Sequence, residues 1–258
     1  MRWPGLASAK GTKHWAKNWW TFSLTIPHGS FIIPSAFASD DCVHVPEVIW
    51  ELTSDCVITE ERILGIKVDD LRTLDAAGID RPETARRFAN AYLSMVFVHR
   101  FFHADPHPGN VFVEFDGRIA FVDFGMVGSI NDGTGQGLAT ILLALVSADA
   151  QRMADGLLGL GIAGDDIDRA AFERALQQLL DRYAHEPLEN LHLQTLLADL
   201  MTVVRAHRLC LPSDIALLLK TVMMCEGVAA QLDPKFELIP MLVPYATALI
   251  SNGTRDQA

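Results

Sequence analysis

The sequence has few cysteines and none of them close together. Cys42, Cys56, Cys210 and Cys225 form no C-x-x-C pair, which argues against a zinc knuckle or a dithiol redox motif and leaves them to read as buried thiols of a reducing compartment. A membrane-spanning helix needs about 20 predominantly apolar residues. The uncharged stretch from Leu238 to Thr254 runs only 17 and is cut by Pro240 and Pro244, so no membrane helix is expected there. Basic residues are in deficit, 21 Lys and Arg against 32 Asp and Glu, for a formal net charge of -11. A broad nucleic-acid-binding face, which needs clustered positive charge, is thereby excluded. No internal repeat of fixed period occurs, so the chain is not a solenoid or propeller array.

What remains is a chain able to bury a core. Half of its 258 residues are apolar and 21% are charged, the balance of one large globular domain or two modest ones. Its charge is unevenly spread. Residues 1–39 hold four basic residues, no acidic residue and four of the five tryptophans, whereas from Asp40 onward the chain carries -15. That shift marks a boundary. The start imitates a secretory leader, with Ala36-Phe37-Ala38 before Ser39, but Pro27-His28-Gly29-Ser30 interrupts its apolar run. A basic aromatic segment resting on a membrane surface is an alternative. The simplest expectation is a poorly ordered segment foreign to a domain at 40–235, which is followed by a tail at 236–258.

Val43 to Trp50 and Cys56 to Glu60 are short, rich in β-branched residues and joined by Leu52-Thr53-Ser54-Asp55, which predicts a strand pair. Pro82 and Glu83 open a helix that carries Phe88, Tyr92, Met95 or Val96, and His99 on one face and ends near His103. Beyond residue 136 the pattern is helical over 137–148, 151–160, 167–184, 190–208 and 213–231. Leu217 to Met224 reads as helical core. Asp165, Asp166 and Asp168 suit a helix N-terminus by charge–dipole attraction rather than a metal site.

Chemistry concentrates between His103 and Gly125. Pro106 and Pro108 force Asp105 and His107 out of helical geometry, so a stiff extended loop follows His103. His99, His103 and His107 therefore share no helical metal-binding face, and His103 is expected to bond backbone carbonyl groups of the loop. Two strand-like runs flank Asp116-Gly117, the dipeptide that a two-residue primed hairpin turn prefers. With those two residues as the turn, Asn110 falls opposite Asp123. Paired residues of an antiparallel hairpin project to one side of the sheet, where one divalent cation could touch both. Amide and carboxylate oxygens are ligands that Mg²⁺ takes, and Mg²⁺ completes its shell with water and substrate phosphates. Gly133, Gly135 and Gly137 suit a flexible segment better than a phosphate cradle.

These residues resemble the UbiB/ADCK (ABC1-type) group of atypical protein-kinase-like proteins. His103-x-Asp105-x-x-x-x-Asn110 matches the kinase catalytic loop and Asp123-Phe124-Gly125 matches the metal-binding triplet. Phe102 through Asn110 lies closer to the UbiB form, which lacks the lysine that ordinary kinases place two residues after the aspartate. Glu61 to Lys67 with Gly65, and Leu211-Pro212 through Leu232-Asp233-Pro234, extend the likeness over roughly residues 40 to 235. A related phosphotransferase of the aminoglycoside-kinase type shares the His-x-Asp loop and is the alternative fold.

The resemblance implies an α+β fold, a mainly helical kinase-like C-terminal lobe with a small antiparallel hairpin carrying the metal-binding residues. It implies ATP and Mg²⁺ as cofactors, with Asp105 positioning or deprotonating the attacking group and His103 beside it. Asn110 and Asp123 would hold the metal. Glu60, Glu61 and Ile63 would border the adenine, and Gly125 completes the set. Partners would be a nucleotide and an isoprenoid or quinone lipid. The place expected is the cytoplasm, with peripheral membrane contact open, and the activity is ATP-dependent phosphotransfer or hydrolysis in ubiquinone and isoprenoid-lipid metabolism.

One part of the family pattern is not recognisable here: a glycine- or alanine-rich loop, the Lys-x-Gly-Gln motif and a strand lysine with its helix glutamate. Leu6-Ala7-Ser8-Ala9-Lys10 is a poor substitute. The expectation is a large lobe with the end of the small one, binding Mg-nucleotide weakly and turning over slowly. The competing expectation is an inactive fragment that serves as a binding module.

Overall fold

Strand-forming sequences become strands only where a partner satisfies their backbone groups, so pairing decides which β-branched runs are used. The computed structural model describes residues 19–22, 37, 42–54, 57–162, 167–184 and 191–253. They divide into two units, one comprising residues up to Ile79 with His107–Met126, the other Asp80–Pro106 with residues from Val127 onward.

The first unit is built on strands. β1 (Trp19–Phe22) pairs antiparallel with β3 (Ile58–Glu61). The basic N-terminal segment thus contributes a strand, while the expectations for residues 1–18 and 23–36 lie outside the described residues. A four-stranded sheet has the order β2 (Val43–His44), β7 (Ile119–Phe121), β6 (Val111–Glu114), β4 (Gly65–Lys67). β2 runs parallel to β7, and β6 is antiparallel to both its neighbours. All three residues of β7 are buried, as a strand covered on both faces requires.

The expected pairing of Val43–Trp50 with Cys56–Glu60 is only partly realised. Val48 bridges Glu60 antiparallel, but Val43 and His44 pair with β7 instead, and Trp50–Leu52 winds into a 3₁₀ turn. The long-range partner won over the local one. A short helix, α1 (Leu71–Ala76), follows β4, and the Asp70 carboxylate accepts from the Thr73 N–H at its start.

The second unit is helical. α2 (Arg81–Phe97) begins as expected, with the Asp80 carboxylate accepting from the Glu83 N–H and Pro82 in the first turn. Phe88, Tyr92, Met95 and Val96 are buried along one stripe. The helix stops at Phe97, short of the expected end near His103, and His99 lies beyond it. Arg100 takes a positive φ of 55° and Phe101–His103 becomes strand β5, paired antiparallel with β8 (Val127–Ser129). That partner lies some two dozen residues downstream, a pairing that helical periodicity could not reveal.

Six helices follow: α3 (Asp132–Ser147), α4 (Ala150–Gly159), α5 (Arg169–Tyr183), α6 (Leu193–Ala206), α7 (Ser213–Leu232) and α8 (Ile239–Gly253). All five predicted helical runs are present. The Asp168 carboxylate caps α5 by accepting from the Ala171 N–H, whereas Asp165 and Asp166 lie outside the described residues. α4 and α5 pack Met153, Leu157, Phe172, Leu176 and Leu179 into one core.

α7 is long and apolar enough, by length and composition, to cross a membrane, with a mean hydropathy of 1.5. Of the run Leu217–Met224 read as core, Leu218 and Thr221 are buried whereas Met223 is exposed; the buried stripe instead runs through Ile215, Leu218, Cys225, Val228, Ala229 and Leu232. Of the thiols read as buried, Cys225 is, while Cys42 and Cys210 are exposed. Residues read as a tail form α8, whose Tyr245 ring stacks on Phe97 at a centroid distance of 5.8 Å.

Candidate functional site

The β6–β7 hairpin is present, but its register differs by one residue from the expectation. Val111 pairs with Phe121, Phe112 with Ala120 and Val113 with Ile119, and the Val122 N–H donates to the Asn110 carbonyl at 2.9 Å. Asn110 therefore opposes Val122, not Asp123. The cause is the turn. Glu114 N–H donates to the Arg118 carbonyl across a three-residue loop, Phe115-Asp116-Gly117, and Gly117 N–H donates to the Glu114 carbonyl. Gly117 takes the left-handed conformation at φ 85°, so Asp116-Gly117 closes a bulged turn rather than a two-residue one. The Asp116 carboxylate accepts from the Arg118 N–H and pairs with its guanidinium, which stabilises this alternative.

A one-residue slip sends every following side chain to the other face of a regular strand. Asp123 escapes that fate because its own backbone is left-handed, at φ 60°. Beyond it, Phe124 is buried and the Gly125 N–H donates to the Asp123 Oδ1 at 3.2 Å. A Cβ on Gly125 would stand 2.9 Å from that oxygen, so the close approach depends on glycine. The carboxylate is held by its own triplet.

The consequence is a cavity of about 170 Å³ within the first unit, lined by Glu60, Glu61, Ile63, Lys67, Gly109, Asn110, Phe112, Val122 and Asp123. Asn110 and Asp123 meet on this cavity despite the register. Glu60, Glu61 and Ile63 line it too, so five of the six residues assigned to nucleotide and metal lie together; Gly125 lies outside the lining. Lys67, Phe112 and Val122 were not anticipated as site residues. Asn110 ends a 3₁₀ turn and Phe112 lies two residues on, in β6, and both line the cavity. Lys67 is brought in by its pairing with Phe112, which the sequence did not disclose.

Three side chains set the electrostatics. Burial pushes the Glu60 carboxyl up to about 7, and the neighbouring Asp123 carboxylate adds to the shift. Glu60 is only 7% exposed, and its carboxyl makes no hydrogen bond among the described residues. Glu61 is steadied differently, through His44 on β2. His44 Nε2 lies 3.2 Å from Glu61 and Nδ1 2.9 Å from Glu114, which itself pairs with Arg118 at 3.0 Å. The hairpin base and the cavity rim are thus linked by one polar chain.

The residues present fit a hard cation. An amide oxygen, a carboxylate and a second, hydrogen-bond-free carboxyl on one small cavity are the donor chemistry of Mg²⁺. Among the described residues no group of three or more His, Cys, Asp or Glu forms a metal cage. Mg²⁺ asks for none, since it commonly keeps water and substrate phosphate in its shell.

His103 and Asp105 belong to the second unit. His103 is fully buried on β5, and its Nδ1 accepts from the Asp105 N–H at 3.1 Å. This N–H is a loop backbone contact beside the carbonyl contact expected of the ring. The intervening Ala104 carbonyl accepts from the buried Thr221 hydroxyl of α7 at 3.3 Å. Asp105 is half-buried. His107, exposed, accepts from the Gly109 N–H at 2.9 Å and starts the 3₁₀ turn Pro108–Asn110.

Residues 33–157 match the ABC1 atypical kinase-like domain, and residues 176–237 match the UbiB helical domain. The chain belongs to this family of atypical kinase-like proteins. A probable protein kinase UbiB of Xanthomonas oryzae is 36% identical over 218 residues, 82% of this chain and 39% of that one. The uncharacterized protein sll1770 of Synechocystis is 34% identical over 84% of this chain and 37% of that one. The chain thus spans less than two fifths of the length of these relatives. The solved structure of Rv3197 with erythromycin, from Mycobacterium tuberculosis, shares the fold with a TM-score of 0.55 at 20% identity, over 80% of this chain and 52% of that one. The α+β kinase-like class expected from the motifs is the class found.

Proposed function

We propose that this chain carries the nucleotide- and metal-binding centre of a UbiB-type ATP-dependent phosphotransferase or ATPase. Asn110 and Asp123 hold Mg²⁺, Glu60, Glu61 and Ile63 border the base, and Asp105 positions or deprotonates the attacking hydroxyl or water. The observation that carries this reading is the convergence of Asn110 and Asp123 on one cavity through two unrelated backbone devices. A hairpin register that separates them and a left-handed aspartate that reunites them make sense if both must serve one ligand.

Bound Mg²⁺ would neutralise phosphate charge and hold the nucleotide's tail. In kinase-like centres catalysis is mainly positioning plus such neutralisation. The chain's own part is to fix the two oxygen donors, to keep Glu60 out of water, and to hold the Asp105 backbone on His103. Relatives that bear the UbiB name support a role in ubiquinone or isoprenoid-lipid metabolism, with a quinone or isoprenoid lipid as partner and contact at a membrane surface.

Calorimetric titration with ATP, with and without Mg²⁺, tests the reading. The expected result is Mg²⁺-dependent binding that Asp123→Asn weakens by roughly two orders of magnitude, the scale seen when one preorganised electrostatic contact is removed. Equal Mg²⁺-dependent binding by both proteins would refute the metal assignment, and no ATP binding by either, with or without Mg²⁺, would favour a binding module without nucleotide chemistry.

A further inference from the structure

The cavity that accepts a cation must also accept the anion the cation brings. Its charged lining consists of Glu60, Glu61, Asp123 and a single basic residue, Lys67. A nucleoside triphosphate carries about four negative charges, of which one Mg²⁺ cancels two. Left to carboxylates alone, the remainder would be repelled at close range, since like charges a few ångströms apart interact unfavourably. The raised pKa of Glu60 relieves part of that repulsion without supplying any attraction.

Lys67 stands where attraction is needed. It is the last residue of β4 and pairs with Phe112 of β6. Phe112 and Asn110, two residues apart, both line the cavity. Lys67 and Asn110 line one cavity of about 170 Å³ with Phe112 between them, small enough for a long side chain to reach a ligand held at Asn110. Among the described residues Lys67 makes no ion pair, and its side chain has no hydrogen bond, whereas Arg118 on the adjoining hairpin is committed to Glu114 and Asp116.

We propose that Lys67 is the phosphate-contacting cation of this site: its ammonium meets the polyphosphate of a nucleoside di- or triphosphate whose metal rests on Asn110 and Asp123. The inference rests on the nucleotide reading of the cavity and adds to it the residue that selects for phosphate. As a compact point charge on a flexible stem, lysine suits a polyphosphate that must enter and leave. β4 is also an edge strand, where lysine discourages pairing with another chain. That service is indifferent to phosphate, so phosphate dependence separates the two roles.

The test is calorimetric titration of the full chain and its Lys67→Glu, Lys67→Ala and Lys67→Arg variants with MgATP, MgADP and adenosine. Lys67→Ala is expected to weaken MgATP roughly ten- to hundredfold, the worth of one charge-assisted hydrogen bond. Lys67→Glu should weaken it further and Lys67→Arg should recover most of the loss. Adenosine affinity should stay within about twofold in all three, which also shows that the variants are folded. Wild-type binding of MgATP with no change in Lys67→Glu would overturn the lysine assignment and leave the nucleotide reading standing. Equal losses for adenosine and MgATP would overturn it as well, because a phosphate contact cannot act on a ligand without phosphate. Wild-type protein that binds neither MgATP nor adenosine would overturn both.

Discussion

The two units solve opposite problems. The helical unit encloses a cavity of about 110 Å³ with no polar lining, walled by residues such as Leu93, Val96, Leu157, Leu200 and Leu218. The strand unit gathers three carboxyl groups, an amide and an ammonium on a cavity of about 170 Å³. One is held together by burying apolar surface, which needs only a stripe of the right period. The other holds groups that cost free energy to bring together, and it does so with pairing register, a bulged turn and a left-handed residue. Chemistry sits where the fold has spent conformational specificity, and cohesion sits where it has spent hydrophobic area.

Substitutions can break that contrast. Phe172 is fully buried in the helical core, and Phe172→Ala should cost about 3–5 kcal/mol, read as a lower denaturant midpoint followed at 222 nm. A loss below about 1 kcal/mol would mean that the helical unit does not depend on close packing.

A pH series sharpens the other side. Glu60 ionises at about 7 in the folded chain against an ordinary 4.5. Between those values the folded state keeps a proton that the unfolded state releases. The contribution of Glu60 to stability is therefore intact below about 4.5 and declines as pH rises to about 7. Glu60→Gln should flatten that decline and melt higher than the parent above pH 7. Parallel melting curves across the range would show that Glu60 is not a buried charge.

The smallest effect expected is at the start of α5. Asp168→Ala removes the bond to the Ala171 N–H and should lower stability by about 1 kcal/mol, with no change in nucleotide binding. A neutral result in thermal melts would show the cap to be replaced by water.

The helical unit was legible in the sequence because its signals are local. Periodic apolar residues, Asp168 at a helix start, and Pro82 and Glu83 in a first turn all act within a few residues. The cavity was legible in part of its lining and not in its geometry. Glu60, Glu61, Ile63, Asn110 and Asp123 were named through family motifs, but the register was one residue off. Asp-Gly is compatible with both a two-residue turn and a bulged three-residue one, and the choice rests on the Asp116–Arg118 contact. Lys67 escaped notice because its place depends on a three-residue strand pairing with a partner some 45 residues away. Strand β5 was read as the end of a helix for the same reason: nothing near Phe101–His103 announces β8.

The left-handed backbone of Asp123 also dictates which replacement there is informative. Aspartate and asparagine tolerate that conformation better than other side chains, since their short polar arms can bond to nearby main chain. Alanine or glutamate at this position would confound a torsional penalty with the lost ligand, and glycine would adopt the angle freely but bring no oxygen. Asparagine alone keeps the shape and discards only the ionic charge, so a defect in that protein can be ascribed to electrostatics rather than to a collapsed turn.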